Sequence, residues 1–342
     1  MLVMLIGRIT AALSVLALAL VGCASTVADR SAQAHSFTAS LRALPGVLAA
    51  QDDVAHNEAQ GMVFFRIAVD VAANITADQV DRITGAYLRN VDASRYPGYR
   101  LELDLRQGWN LFAVDSGQLP ITNPDQVLSQ SKDWIALRDQ FPGATVRVRA
   151  TITHPGGQTP DRDTGHSNVA TLDLATGTDY TAVAAAARTL SERFPWLAQL
   201  DWTINAAKEH PAEIKSSRRF PSAAELAVFT RLNADQTIPH IDRLRINSPI
   251  AAPVWFAEQT TQSRDVTVAL QLARAHLPVA AGLPAPVLYT ASDELSGHIG
   301  GRGFARGPVA VTIGGCTPHD PLVYLPIPEE RQLIKRYETC AA

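Results

Sequence analysis

The sequence has few lysines and no excess of positive charge, and these shortages exclude some functions. Only four of its 30 basic residues are lysine, and the formal net charge is −3. A protein that binds nucleic acid needs a basic surface to neutralise phosphates, so we predict no nucleic-acid partner. Hydrophobic residues make up 46% of the 342 residues and charged residues 18%. This composition is typical of folded domains and too apolar for a disordered chain.

The sequence also lacks the short motifs that mark common active sites. It contains no metalloprotease HExxH, no GxSxG nucleophile elbow, no phosphate-binding GxxxxGK[ST] and no zinc-type cysteine spacing. We therefore predict no catalytic residues, no cofactor and no metal site.

No apolar run is long enough to span a bilayer. The longest one, from Ile9 to Val21, has 13 residues and follows Arg8. A spanning helix needs about 20 apolar residues. A short apolar run after a basic residue is typical of a secretory signal peptide.

The apolar run ends at Cys23, in the tetrapeptide LVGC at positions 20–23. This tetrapeptide resembles the lipobox of bacterial lipoproteins, and the bias towards arginine and alanine resembles that of actinobacterial lipoproteins. The resemblance implies that residues 1–22 are a signal peptide, that Cys23 carries a diacylglyceryl group, and that residues 23–35 form a lipidated tether. Two acyl chains give stable membrane attachment. We therefore expect a body anchored at the extracytoplasmic face of the cell membrane.

The remaining cysteines, Cys316 and Cys340, form one even pair. An oxidising compartment favours a disulfide between them, and two free buried thiols are the alternative. The bond would close a loop of about 25 residues and contribute about 3 kcal/mol of stability.

A unit in which a helix runs into a proline and a strand follows recurs along the chain. The six prolines at these joints are Pro45, Pro97, Pro142, Pro195, Pro239 and Pro278. Proline has no N–H to donate and disfavours helical geometry in the residue before it, so it is expected to end each helix. Three helices carry capping boxes or close relatives of them at their starts, at Thr76-x-x-Gln79, Asn123-Pro124-x-Gln126 and Ser222-x-x-Glu225.

The strands alternate between apolar and polar residues, which indicates a sheet with helices on one face. From 62 to 153 the element order is βαββαβ, the order of a split-βαβ or ferredoxin-like unit. Related patterns follow to the C-terminus, and the last of them includes a possible strand at 321–325 before a helix at 328–338. We predict an α+β protein of tandem ferredoxin-like lobes at 36–158, 159–250 and 251–342.

Two loops are candidate binding sites. The glycine-rich loop at 296–307 carries Arg302 and Arg306, which would suit an anion, although glycine clusters also mark flexible hairpin loops. The polar loop at 154–167 offers possible metal ligands, and a solvated hairpin explains the same residues. These ligands are His154, Asp161, Asp163 and His166.

On one strand, Glu102 and Asp104 share a face and could hold a cation or form a general-acid pair, although an exposed sheet surface is the commoner explanation. The ββαβ order that follows Tyr99, with Gly108 between its first two strands, resembles a BON domain. That resemblance implies a bacterial envelope module associated with membranes or ligands.

Together these features predict a lipid-anchored, non-enzymatic envelope protein that binds a partner protein, an envelope lipid or a glycan. The alternative is an extracytoplasmic hydrolase or transferase whose site forms between lobes, where sequence motifs would not reveal it.

Overall fold

The computed structural model describes residues 27–57, 61–91, 95–157, 167–293 and 299–340. Cys23 and the predicted signal peptide lie outside these ranges. The helices are α1 (Ser31–Arg42), α2 (Ala77–Asn90), α3 (Pro124–Gln140), α4 (Tyr180–Arg193), α5 (Ala223–Ala234), α6 (Val266–Ala280) and α7 (Pro328–Tyr337). Within the described ranges, no helix is long and apolar enough to cross a membrane.

Twelve strands of the described chain form one mixed sheet. They are β1 (Val47–Asn57), β2 (Met62–Val71), β3 (Arg100–Gln107), β4 (Asn110–Asp115), β5 (Thr145–Arg149), β6 (Val169–Asp173), β7 (Asp201–Asn205), β8 (Glu213–Ser216), β9 (His240–Ile246), β10 (Val254–Thr260), β11 (Val287–Ser292) and β12 (Ala310–Ile313). Each strand pairs with its neighbours in sequence, so the spatial order runs from β1 to β12.

The pairing alternates between antiparallel and parallel. β1 and β2 are antiparallel, β2 and β3 are parallel, and this alternation continues to β11 and β12. A helix connects the two strands of each parallel pair, because a parallel connection must return to the same end of the sheet. The protein is therefore a mixed α/β chain built from consecutive βαβ units.

The predicted tandem ferredoxin-like lobes are not confirmed. In a split-βαβ unit another strand lies between the two parallel strands. Here the parallel strands are direct neighbours, as in the pairing of Phe65 on β2 with Leu101 on β3. The sheet also runs through all three predicted lobes without a break.

One face of the sheet is apolar and lies under the helices. Buried residues of adjacent strands are paired, as in the row Phe112, Val148, Ala170 and Trp202, which crosses β4 to β7. These residues join the buried residues of the helices in one hydrophobic cluster. Since alternate residues of a strand point to opposite faces, the residues between them form the other face.

The opposite face is polar, and we call its β2–β8 part the open face. Its partly exposed residues include Arg66, Glu102, Arg147, Thr171, Thr203 and Lys215. Near β10 this face is covered by loop residues, because Ile250 and Ile299 pack on Trp255.

Three local predictions were wrong. Helix α1 begins at Ser31, inside the predicted tether, and Val27 already packs against the core. Pro278 lies inside α6, which ends two residues later at Ala280, so this proline does not end its helix. The segment 321–325, predicted as a possible strand, begins with a turn at 321–323 and has no strand pairing in the described structure.

Candidate functional site: a buried cluster of histidines and carboxylates

Four ionisable residues are buried where β9, β10 and α6 meet. They are His240, Asp242, Glu258 and His276, each no more than 5% exposed, and we call them the His–carboxylate cluster. Every second residue of β9 is buried, and these residues are His240, Asp242, Leu244 and Ile246. Two polar side chains therefore occupy core positions. Asp242 pairs with Glu258 across the antiparallel β9–β10 ladder, which places both carboxylates on the helix-covered face.

Glu258 is hydrogen-bonded from two sides. His276 Nδ1 lies 2.8 Å from Glu258 Oε1, and the hydroxyl of Tyr289 on β11 donates to Oε2. Burial, together with the nearby Asp242 carboxylate, raises the pKa of Glu258 to about 7 even though the hydrogen bond from His276 opposes the shift. The pKa of Glu258 therefore lies well above that of an ordinary glutamate.

His240 is oriented by the backbone. Its Nδ1 lies 2.6 Å from the carbonyl oxygen of Ile238, so Nδ1 carries a hydrogen and Nε2 faces Asp242. His240 Nε2 and Asp242 Oδ2 are 3.3 Å apart. Burial lowers the pKa of His240, but Asp242 and Glu258 outweigh it and raise the value to about 9.

Several polar atoms of the cluster have no hydrogen-bond partner among the described residues. They are Nε2 of His240, both carboxylate oxygens of Asp242, and Nε2 of His276. Asp235, which is half exposed just after α5, approaches His276 Nε2 to 3.5 Å and forms the rim of the cluster. Because unpaired buried polar atoms are rare in folded proteins, this arrangement calls for an explanation.

No sequence motif identified the cluster, although a signal was present. In HIDRLRI, strand alternation sends His240 and Asp242 to the same face as Leu244. Glu258 is a charged residue in the mostly buried strand β10. His276 lies on the buried stripe of α6 with Leu272 and Ala273. A charged residue at a core position is informative only when its neighbours across the sheet are known.

The acidic pair predicted on β3 is neutralised by arginines. Glu102 pairs with Arg66 at 2.5 Å and with Arg100 at 2.9 Å, and Asp104 pairs with Arg106 at 2.6 Å. These carboxylates belong to the partly exposed sheet surface rather than to a cation site.

The polar loop at 154–167 is described only in part. His154 is buried, and its Nδ1 lies 2.9 Å from the carbonyl oxygen of Pro120. Asp161, Asp163 and His166 lie outside the described residues.

The glycine-rich loop lines a cavity of about 500 Å³ on the covered part of the polar face. Its wall includes Ile250, Leu288, Arg302 and Thr317. Among the described wall residues Arg302 is the one charged side chain, so the cavity shows no convergence of titratable groups. Residues 294–298 of this loop are outside the described ranges.

Cys316 and Cys340 are joined by a disulfide, with Cα atoms 4.8 Å apart. The bond connects the loop after β12 to the segment that follows α7. Backbone hydrogen bonds from Gly314 to Tyr337 and from Thr339 to Gly315 run beside it. The predicted return strand at 321–325 is therefore not needed to bring the two cysteines together.

Comparisons with known proteins give no family for this chain. No family model matches it, and neither a curated protein nor a solved structure is significantly similar to it. The interpretation of its function therefore rests on its own residues.

Proposed function

We propose that this protein is a lipid-anchored, extracytoplasmic envelope protein that binds a macromolecular partner on its open face. The observation that carries the binding role is the open face itself. The seven helices of the described chain pack in the apolar cluster on one side of the sheet, whereas the β2–β8 part of the other side keeps polar side chains at least partly exposed. A broad, rigid sheet surface of this kind suits a partner that is itself extended or flat.

Many charges of the open face are paired. Arg66 pairs with Glu102, and Arg147 with Asp173, both across neighbouring strands. A face without an excess of one sign attracts no highly charged partner over long distances. We therefore favour a protein or glycan, recognised by hydrogen bonds and shape, over a bare anionic lipid surface.

The described N-terminal residues support a close association with the membrane. The hydroxyl of Tyr99 donates to the carbonyl oxygen of Ala28 at 2.9 Å, and Val27 packs against the core. The four steps from Cys23 to Val27 reach at most about 14 Å in a fully extended chain. If Cys23 carries the lipid, this end of the body lies close to the bilayer surface.

The anchor is tested by Cys23→Ala. We expect the variant to lose incorporation of labelled fatty acid and either to leave the membrane fraction or to remain an unprocessed precursor. The control is Cys316→Ala, which should still be acylated because it changes only the disulfide. Full labelling and membrane fractionation of Cys23→Ala would disprove the anchor.

Binding on the open face is tested by placing a large side chain at its centre. Thr171→Arg adds a guanidinium to β6 without entering the apolar core, and Ala185→Arg adds the same group to the exposed side of α4. In intact envelopes, the wild type and Ala185→Arg should cross-link to the same partner, and Thr171→Arg should lose most of that product. An unchanged yield of the cross-linked product with Thr171→Arg would rule out the open face as the binding surface.

A further inference from the structure

We propose that His240, Glu258 and His276 bind one divalent transition metal of the zinc class, with Asp242 beside it. One ligand atom from each of the three residues can be chosen so that all lie within 4.8 Å of one another. Tetrahedral zinc with bonds of about 2.0–2.2 Å requires ligand atoms about 3.4 Å apart. Side-chain movements of about 1 Å would therefore bring ligand atoms that are up to 4.8 Å apart to the spacing that a tetrahedral ion requires.

The neighbours of the ligands hold them in orientations suited to a metal. The backbone carbonyl of Ile238 takes the Nδ1 hydrogen of His240, which leaves the Nε2 lone pair directed inward. The hydroxyl of Tyr289 holds Glu258 Oε2 and leaves Oε1 on the side of His276. Hydrogen bonds of this kind usually orient metal-binding histidines and carboxylates.

The unpaired atoms point to the same conclusion. His240 Nε2 and Asp242 Oδ2 lie 3.3 Å apart without hydrogen-bond geometry, Asp242 Oδ1 has no hydrogen-bond partner in the described part of the chain, and both residues are more than nine-tenths buried. A cation between these atoms would satisfy them. Asp235 stands at the exposed rim, 3.5 Å from His276 Nε2, and offers an ion a route from solvent.

The charge of the cluster also matches a divalent ion. Two carboxylates, Glu258 and Asp242, face two histidines in a buried space. Two neutral imidazoles, two carboxylates and one divalent cation sum to zero, and buried charge is tolerated only when it is balanced. Mixed nitrogen and oxygen ligands favour zinc, cobalt or nickel over magnesium or calcium.

The burial of all three ligands indicates a structural site. Closed coordination contributes to folding, whereas a catalytic metal keeps an open position for substrate. The ion would connect β9, β10 and α6, the elements that carry His240, Glu258 and His276.

The site is tested by titrating chelator-treated full-length protein with cobalt(II), followed by visible absorption and elemental analysis. We expect one equivalent of cobalt, with absorption bands typical of tetrahedral coordination, and displacement of cobalt by zinc. His240→Gln and Glu258→Gln should each weaken binding at least tenfold. The matched control is His154→Gln, since His154 is also buried and its Nδ1 also contacts a backbone carbonyl, that of Pro120.

A second measurement covers the case in which a variant does not fold. Zinc should raise the midpoint of thermal unfolding of the wild type, and chelator should reverse the increase, because a ligand that binds the folded state stabilises it. The proposal is overturned if the wild type binds no cobalt at micromolar concentrations, or if binding and stabilisation persist undiminished in folded Glu258→Gln. Binding of several equivalents that all three variants retain would identify surface histidines instead and would likewise overturn it.

Discussion

At the scale of single residues, Glu258 shows how neighbours make a buried carboxylate tolerable. An isolated carboxylate in an apolar interior is strongly disfavoured unless hydrogen bonds replace its hydration. Glu258 is fully buried, and it is hydrogen-bonded by His276 on α6 and by Tyr289 on β11. Three separate elements are therefore connected through one side chain.

Tyr289→Phe tests this role of the tyrosine hydroxyl. The substitution removes one donor from Glu258 and leaves the apolar ring in place, so we expect a loss of about 1–3 kcal/mol in the free energy of unfolding. Urea denaturation in the presence of chelator measures the loss without any contribution from bound metal. Tyr180→Phe, at a partly buried tyrosine outside the cluster, should change the stability by much less. Equal effects of the two substitutions would contradict this account of Glu258.

At the scale of elements, α5 begins with a cap that includes an ion pair. The hydroxyl of Ser222 accepts a hydrogen bond from the N–H of Glu225, and the carboxylate of Glu225 accepts one from the N–H of Ser222 at 2.6 Å. Arg219 donates two hydrogen bonds of 2.7 Å to the same carboxylate. The capping boxes predicted at Thr76 and at Ser222 are confirmed, whereas the one predicted at Asn123 is wrong because the side chain of Asn123 makes no cap hydrogen bond with α3.

This cap makes the stability of α5 depend on pH. Burial raises the pKa of Glu225, but the hydrogen bonds from Arg219 and Ser222 outweigh it, so the folded-state pKa lies below the ordinary value of 4.5. A carboxyl whose pKa is lowered by folding stabilises the protein above its unfolded pKa. The stabilisation is lost as the pH falls through the folded-state pKa.

Glu225→Gln should therefore destabilise the protein at neutral pH by about 2 kcal/mol, the value typical of hydrogen bonds to charged groups. The difference from wild type should shrink as the pH falls from 4.5 through the lower folded-state pKa, because the wild-type carboxyl is protonated first in the unfolded and then in the folded protein. Denaturation series at several pH values measure this difference in the free energy of unfolding. Glu192→Gln, at an exposed position on α4, should show little difference at any pH. A difference for Glu225→Gln that does not vary with pH would show that the charge is not responsible.

At the scale of the whole molecule, the sheet is extended and its contacts are sequential. Each strand pairs with the strands before and after it in the chain, so distant parts share few contacts. At the last strand, the side chains of Glu330 and Glu338 accept hydrogen bonds from the N–H groups of Ala310 and Thr312. Helix α7 and the segment that follows it therefore cover the outer edge of β12, and the disulfide holds that segment in place.

Reduction of the Cys316–Cys340 bond should loosen the C-terminal end before the rest of the protein. The constraint on a loop of this length contributes about 3 kcal/mol. In hydrogen exchange, we expect reductant to lower protection over β12 and α7 while β2–β5 stay protected. The double variant Cys316→Ala, Cys340→Ala should show low protection at this end with or without reductant. A uniform loss of protection along the chain would mean that the sheet opens as one unit.

The sequence by itself determined most of the elements. The alternation of apolar and polar residues predicted the order βαββαβ from 62 to 153, and β2, α2, β3, β4, α3 and β5 follow that order. The helix-proline-strand unit at Pro45 predicted a strand there, and β1 follows that proline although VLAAQDDVAHN lacks a regular apolar face. These features are local, since each depends on side chains a few positions apart.

Only the tertiary structure decided which strands are neighbours and which polar residues meet. The element order βαββαβ is compatible with interleaved strands and with the sequential sheet that forms, since local patterns do not determine strand order. Likewise, Asp242, Glu258 and Tyr289 are far apart in the chain and become neighbours through the pairing of β9, β10 and β11. The strand pairing creates the His–carboxylate cluster, because burial and charge act between residues that only the sheet brings together.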